Sequence, residues 1–182
     1  MDSRDIGRRL ELLAGVGLVV FGGLFAIAEL GGDRSWSLIW PLFVVVPGLL
    51  FFAAMASFGR ESGFLAIPGA IVTVAGLLLL ASNTFSSWAA WSYLWTLVTP
   101  GAVGLGLWIY GAWARRPTLR RVGAQLGFLG LVLFAVFGAL FELLLGVSGP
   151  AGREVGRFVW PALLILLGAW LLVAQAIRPR RA

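Results

Sequence analysis

The chain has 182 residues, of which 60% are hydrophobic and 12% charged, with a formal net charge of +6. An average soluble domain carries about 25% charged residues, so this composition excludes a solvated globular surface. The absence of cysteine and histidine excludes disulfides, thiolate chemistry, His/Cys metal ligation and imidazole acid–base work. All 14 basic residues are arginine, which excludes lysine Schiff-base chemistry.

Apolar runs of about 20 residues, enough to span a bilayer, recur along the whole chain. The first is Leu12–Leu30, behind Arg8 and Arg9. Its end, Ala26-Ile27-Ala28, also fits a signal-peptide cleavage site, but cleavage would leave five spans and break the repeat described below. The short Gly31–Ser37 loop leads to Leu38–Ser57, which opens on Trp40-Pro41. Phe64–Ser82 follows. Then comes the tryptophan-rich stretch FSSWAAWSYLW ahead of the fourth run, Tyr93–Ala114. The basic loop RRPTLRR separates it from Val122–Gly146, and Phe158–Ala176, with Trp160-Pro161, is the sixth. Buried helices of soluble proteins keep a polar face, whereas these runs are apolar all round. The expected fold is an all-α membrane protein of six transmembrane helices, forming a single membrane domain over residues 1–182.

The runs form three units, about 6–57, 63–115 and 122–178. Pro41, Pro100 and Pro161 recur at separations of 59 and 61 residues, each near the start of an even-numbered span. Gly15, Gly22 and Glu29 match Gly69, Gly76 and Asn83, and Gly17, Glu29 and Leu30 match Gly130, Glu142 and Leu143. Each unit is a helical hairpin, and an even number of spans per unit makes the copies parallel. Spans one and two, three and four, and five and six should pair. Proline is tolerated in a first helical turn, where its missing N–H has no partner, and tryptophan favours the membrane–water boundary. Trp-Pro therefore reads as a helix-entry device. Trp36, Trp40, Trp88, Trp91, Trp95 and Trp160 are the expected interfacial anchors. Phe85, Trp88, Trp91 and Trp95, at helical spacing, read as a short interfacial turn in preference to an aromatic ligand cage.

With six spans the termini share a side. That side collects Arg4, Arg8, Arg9, Arg60, Arg115, Arg116, Arg120, Arg121, Arg178, Arg180 and Arg181, against Arg34, Arg153 and Arg157 on the other. Arginine-rich short loops stay cytoplasmic, so both termini are expected inside, and the positive charge is a topology signal with no nucleic-acid partner implied. Arg115, Arg116, Arg120 and Arg121 serve as a topology anchor or touch anionic lipid head groups.

The glycine-spaced first helix, the polar residue at its outer end, the Trp loop and the "WP" helix with Gly48 or Gly168 resemble the LiaI/LiaF-like transmembrane region, in about three copies. That family is a helical module of bacterial envelope proteins, some linked to envelope-stress signalling. The resemblance implies a multi-pass protein of the bacterial inner membrane. The soluble C-terminal domain of the LiaF type is not expected, since little sequence follows Ala176, and its signalling roles are not carried over.

Intramembrane charges are functional candidates. Glu29, Asn83 and Glu142 form a polar set at the outer ends of the odd-numbered spans. Around a quasi-threefold axis they would make a cation or proton site. The alternative, favoured here, is that each reaches interfacial water. Glu11 and Gln175, near the inner boundary, read the same way. No catalytic residue, metal ligand or cofactor is expected, because the carboxylates lack a companion nucleophile. The small-xxx-small patterns Gly123xxxGly127 and Ala102xxxGly106 are expected to bring helices of one chain together. The expected function is a non-enzymatic structural or regulatory partner in the envelope, acting on a membrane-protein partner or as a homo-oligomer. The alternative is a small channel or transporter using Glu29, Asn83 and Glu142.

The orientation is open to a direct check. A reporter fused at Thr118 should be active only in its cytoplasmic form, and a periplasmic signal would reverse every unit.

Overall fold

The computed structural model describes residues 3–147, 149, 156–165 and 168. Among these every regular element is helical. Arg153, Gln175, Arg178, Arg180, Arg181 and most of the expected sixth span beyond Ile165 lie outside the described residues.

Helix α1 (Ser3–Leu30) carries Asp5 in its first turn, where an acidic side chain complements the helix dipole. The expected Gly31–Ser37 loop is instead part of a short helix, α2 (Gly32–Ile39). A break at Trp40–Pro41 then starts α3 (Leu42–Phe58). Pro41 is its buried N-cap residue, at φ −65°, so this Trp-Pro does sit at a helix entry. Pro47 lies inside α3, where the absent N–H frees the Phe43 carbonyl.

Gly59 ends α3 at φ 83°, ψ −159°, a region that only glycine adopts without strain. A 3₁₀ turn over Arg60–Leu65 follows. The Ser62 hydroxyl donates to the Met55 carbonyl at 2.9 Å, or to Gly59 O at 2.7 Å. Ser62 thereby serves carbonyls that a helix end leaves without partners. Trp113 Nε1 donates to Gly59 O at 2.9 Å, and an Arg9 guanidinium N–H donates to the Ser57 carbonyl. One end of the bundle is thus tied together by polar contacts.

Helix α4 (Ala66–Thr84) leads through Trp88–Ala90 into α5 (Trp91–Thr96). The fourth apolar segment then breaks. Thr99 is extended, at φ −138° and ψ 109°, before a cis Pro100, as expected of a residue preceding proline. Helix α6 (Val103–Trp113) resumes. Pro100 therefore interrupts its segment after α5, a departure from the expected entry position. Helix α7 (Pro117–Leu140) has Pro117 in its first turn and widens into a π-type turn over Phe141–Leu145. Gly146, left-handed at φ 59°, closes it as C-caps do. The described stretch Gly156–Ile165, here α8, is helical and contains Pro161.

Among the described residues, four segments are long and apolar enough to cross a membrane: Asp5–Leu30, Arg60–Thr84, Trp88–Trp113 and Pro117–Leu145. Leu42–Phe58 and the described part of α8, Gly156–Ile165, are shorter apolar stretches.

The helices pack serially. Helix α1 lies on α3 and α4 lies on α6, as hairpin pairing requires. The most extensive interfaces, however, are α3–α4 and α6–α7, which join one expected unit to the next. Glycines bring backbones close both between and within the expected units. A Cβ on Gly76 of α4 would stand 2.8 Å from Val45 N of α3, and one on Gly123 of α7 would stand 2.7 Å from Gly104 O of α6. Between α4 and α6, a Cβ on Gly106 would stand 2.6 Å from Ile67 Cα. Where lipid surrounds a helix, such backbone approach provides the dispersion contact that water-driven burial provides elsewhere. Both small-residue patterns thus lie at contacts within the chain.

Replacing Gly106 or Gly123 by leucine should therefore lower stability by about 3 kcal/mol, the upper part of the usual overpacking cost. A Cβ on Gly127 meets nothing nearer than 3.9 Å. Gly127→Ala should be neutral or stabilising by up to about 1 kcal/mol. Unfolding of detergent-solubilised protein, followed by circular dichroism, measures all three.

Candidate functional site

The members of the expected polar set differ in their surroundings. Glu29 is exposed near the end of α1, which packs on α2 and α3. Asn83 is half-buried near the end of α4. The turn bearing Glu142 packs on α7. Among the described residues α1 makes no extensive interface with α4 or with that turn, which sets Glu29 apart from the other two.

Glu142 departs from the expectation of a solvated terminus. It is 4% exposed, the most buried carboxylate among the described residues. The widened turn over Phe141–Leu145 lies beneath the start of α8, and a Cβ on Gly156 would lie 3.7 Å from Glu142 Cβ. Tyr93, on α5, donates its hydroxyl hydrogen to Glu142 Oε1 at 3.0 Å. Tyr93 is itself only 6% exposed.

An aromatic shell surrounds this bond. Tyr93, Phe134 and Trp160 form a triangle, with centroid separations of 5.7 Å for Tyr93–Phe134 and 5.5 Å for each contact with Trp160. The Tyr93–Trp160 pair is edge-on at 83°, a favoured geometry worth about 0.5–1.5 kcal/mol beyond area burial. Phe137, Phe141 and Leu163 pack against the same cluster. Gly138 makes room for it, since the Trp160 ring occupies the space a Cβ would need, with Cζ2 at 2.9 Å.

Trp160, one of the expected interfacial anchors, faces the bundle. It is 7% exposed and belongs to the core, with its ring turned onto Gly138. Trp36, Trp88 and Trp95 are exposed, while Trp40 and Trp91 are half-buried. Trp40 stacks on Trp88 at 6.2 Å and 10°, joining the second and fourth apolar segments. The Trp91 indole N–H and the Ser82 hydroxyl are buried without a hydrogen-bond partner among the described residues.

At the other end, Arg115, Arg116, Arg120 and Arg121 are all exposed. Arg115 adopts φ 54° in the turn between α6 and α7. Arg116 lies over the Tyr110 ring and Arg120 over the Trp108 ring, each guanidinium carbon 5.9 Å from the centroid.

The Tyr93–Glu142 pair ties α5, the end of α7 and the start of α8 to one polar contact inside an apolar cluster. Among the described residues no group of three or more acidic side chains is placed to hold a metal ion. Sequence reasoning singled out Glu142 but missed Tyr93. Its only signal there was a phenol among the tryptophans of a segment read as interfacial. Nothing in one sequence announces a contact between positions 93 and 142.

Tyr93→Phe should cost about 1–3 kcal/mol, the range for losing a buried hydrogen bond. Trp160→Ala should cost about 3–5 kcal/mol through the cavity it leaves. Because the two residues touch, the double variant should cost measurably less than the summed single effects, by chemical or thermal unfolding.

Comparison with family models, with curated proteins and with solved structures found no match to this chain.

Proposed function

We propose that this chain is a non-enzymatic, multi-pass integral membrane protein of the bacterial inner membrane, with both termini cytoplasmic. In this reading it serves as a structural or regulatory partner in the cell envelope. The observation that carries the proposal is the glycine seam. Where α3, α4, α6 and α7 meet, Gly76, Gly106 and Gly123 bring backbones into direct contact. A bundle closed in this way transmits position and offers a surface to partners, rather than enclosing a polar route. Four segments long and apolar enough to cross a bilayer support the membrane assignment, and the arginine bias supports the orientation. The resemblance to LiaI/LiaF-like regions, in about three tandem hairpin copies, supports the envelope role.

The second reading, a small channel or transporter, is favoured by one observation: the burial of the Glu142 carboxyl, since ionisable groups away from water are functional by default. In the preferred reading that group is spent on holding Tyr93. Glu29, Asn83 and Glu142 need no concerted role.

Proteoliposomes separate the two. The wild-type chain should give no proton or cation flux above protein-free vesicles, and Glu29→Gln/Glu142→Gln should leave that baseline unchanged. Flux in the wild type that vanishes in the double variant, at equal reconstitution, establishes the transporter reading and ends the preferred one.

A further inference from the structure

The face where α6 meets α7 carries an apolar groove of about 480 Å³ beside the Thr99–Pro100 break. Leu97, Leu105 and Leu131 wall it, and Gly127 leaves it open on the α7 side. Trp108 and Ala124 line this groove and also a second hollow of about 340 Å³, whose other walls are Pro117, Arg120 and Arg121. The shared residues join the two into one feature, apolar along its length and cationic at its mouth. Both arginines are exposed. The Trp108 face holds the Arg120 guanidinium at that mouth, as cation–π contact does.

Length adds a second constraint. The stretch of α7 from Arg121 to Leu131 is about 15 Å long at ~1.5 Å per residue. The apolar core of a bilayer is about 30 Å thick, so the groove is one leaflet deep. A helix of a second copy would need a seat across the whole core, and gains nothing from two arginines at one end.

We propose that this groove binds one anionic glycerophospholipid, with an acyl chain along Leu105, Gly127 and Leu131 and the head-group phosphate against Arg120 and Arg121. This rests on the membrane-spanning reading above and adds a ligand class and a site to it. The acyl chain fills apolar space that neighbouring helices leave open, and the phosphate accepts hydrogen bonds from the two guanidinium groups. Arg115 and Arg116 do not line the groove and contribute only diffuse charge.

The test uses the full chain, purified in mild detergent and supplied with equal amounts of dioleoylphosphatidylglycerol and dioleoylphosphatidylcholine. Retained lipid is counted by native mass spectrometry. A basic side chain near an anionic head group contributes about fivefold in binding, so with two arginines the wild type should retain the phosphatidylglycerol about 25-fold better than the phosphatidylcholine. Arg120→Gln/Arg121→Gln should bring the two lipids close to parity, whereas Arg115→Gln/Arg116→Gln should keep most of the preference. Ala124→Trp, at an exposed position, should fill the groove and lose both lipids with the helical circular dichroism unchanged. Equal retention of both lipids by the wild type overturns the proposal. So does an equal loss from either arginine pair, retention unaltered by Ala124→Trp, or a dimer whose groove excludes lipid. Alkaline extraction of cell membranes is run alongside. Release of the chain into the soluble fraction defeats the membrane reading itself. Retention in the membrane without lipid preference defeats only the lipid site.

Discussion

The rest of the structure depends on backbone contact at glycine. In lipid, apolar helices gain little by hiding side chains from one another, because the surrounding hydrocarbon is equally apolar. What remains is dispersion between closely approaching surfaces, and dispersion fades over fractions of an ångström. Gly76, Gly104, Gly106 and Gly123 remove the side chains that would hold α3, α4, α6 and α7 apart. The order of packing follows from where those residues fall. Gly76 serves the α3–α4 contact, Gly104 and Gly123 serve α6–α7, and Gly106 serves α4–α6.

Against that apolar frame, the polar contacts mark joints. At one end, Ser62, Trp113 and Arg9 donate to carbonyls around the end of α3. At the other, Tyr93 and Glu142 meet inside an aromatic cluster. Both sets lie where helices end or change geometry, because there the backbone no longer satisfies itself. The break at Thr99 lies between the two joints, and beside it opens the groove assigned to lipid.

The sequence made the helical class and the apolar segments legible, since runs such as Leu12–Leu30 and Val122–Gly146 have no polar face to misread. It made Gly123xxxGly127 legible as a contact, because small residues in register have one physical use. It misplaced what depends on direction. Trp160 matches Trp40 in its Trp-Pro pair, yet its ring packs in the core against Gly138. Glu142 looked like a water-reaching terminus, but the widened turn after α7 swings it under α8. A single register shift decides each case, and hydropathy averages over register. The Gly31–Ser37 segment was read as a loop because its polar residues weaken the apolar signal, although they close a helical turn as readily.

Helix α1 differs from its neighbours. Most of its apolar residues face outward, with Leu18 and Val19 each 75% exposed, and among the described residues its extensive contacts are with α2 and α3. In the membrane-spanning reading, lipid is its main solvent. It precedes α3 in the chain, so it leaves the ribosome before α3 exists to receive it. Until then it must be retained by the bilayer on its own hydropathy, without help from that partner. Its side chains therefore govern how efficiently the chain is inserted, whereas those of α4, α6 and α7 govern how firmly the inserted bundle holds.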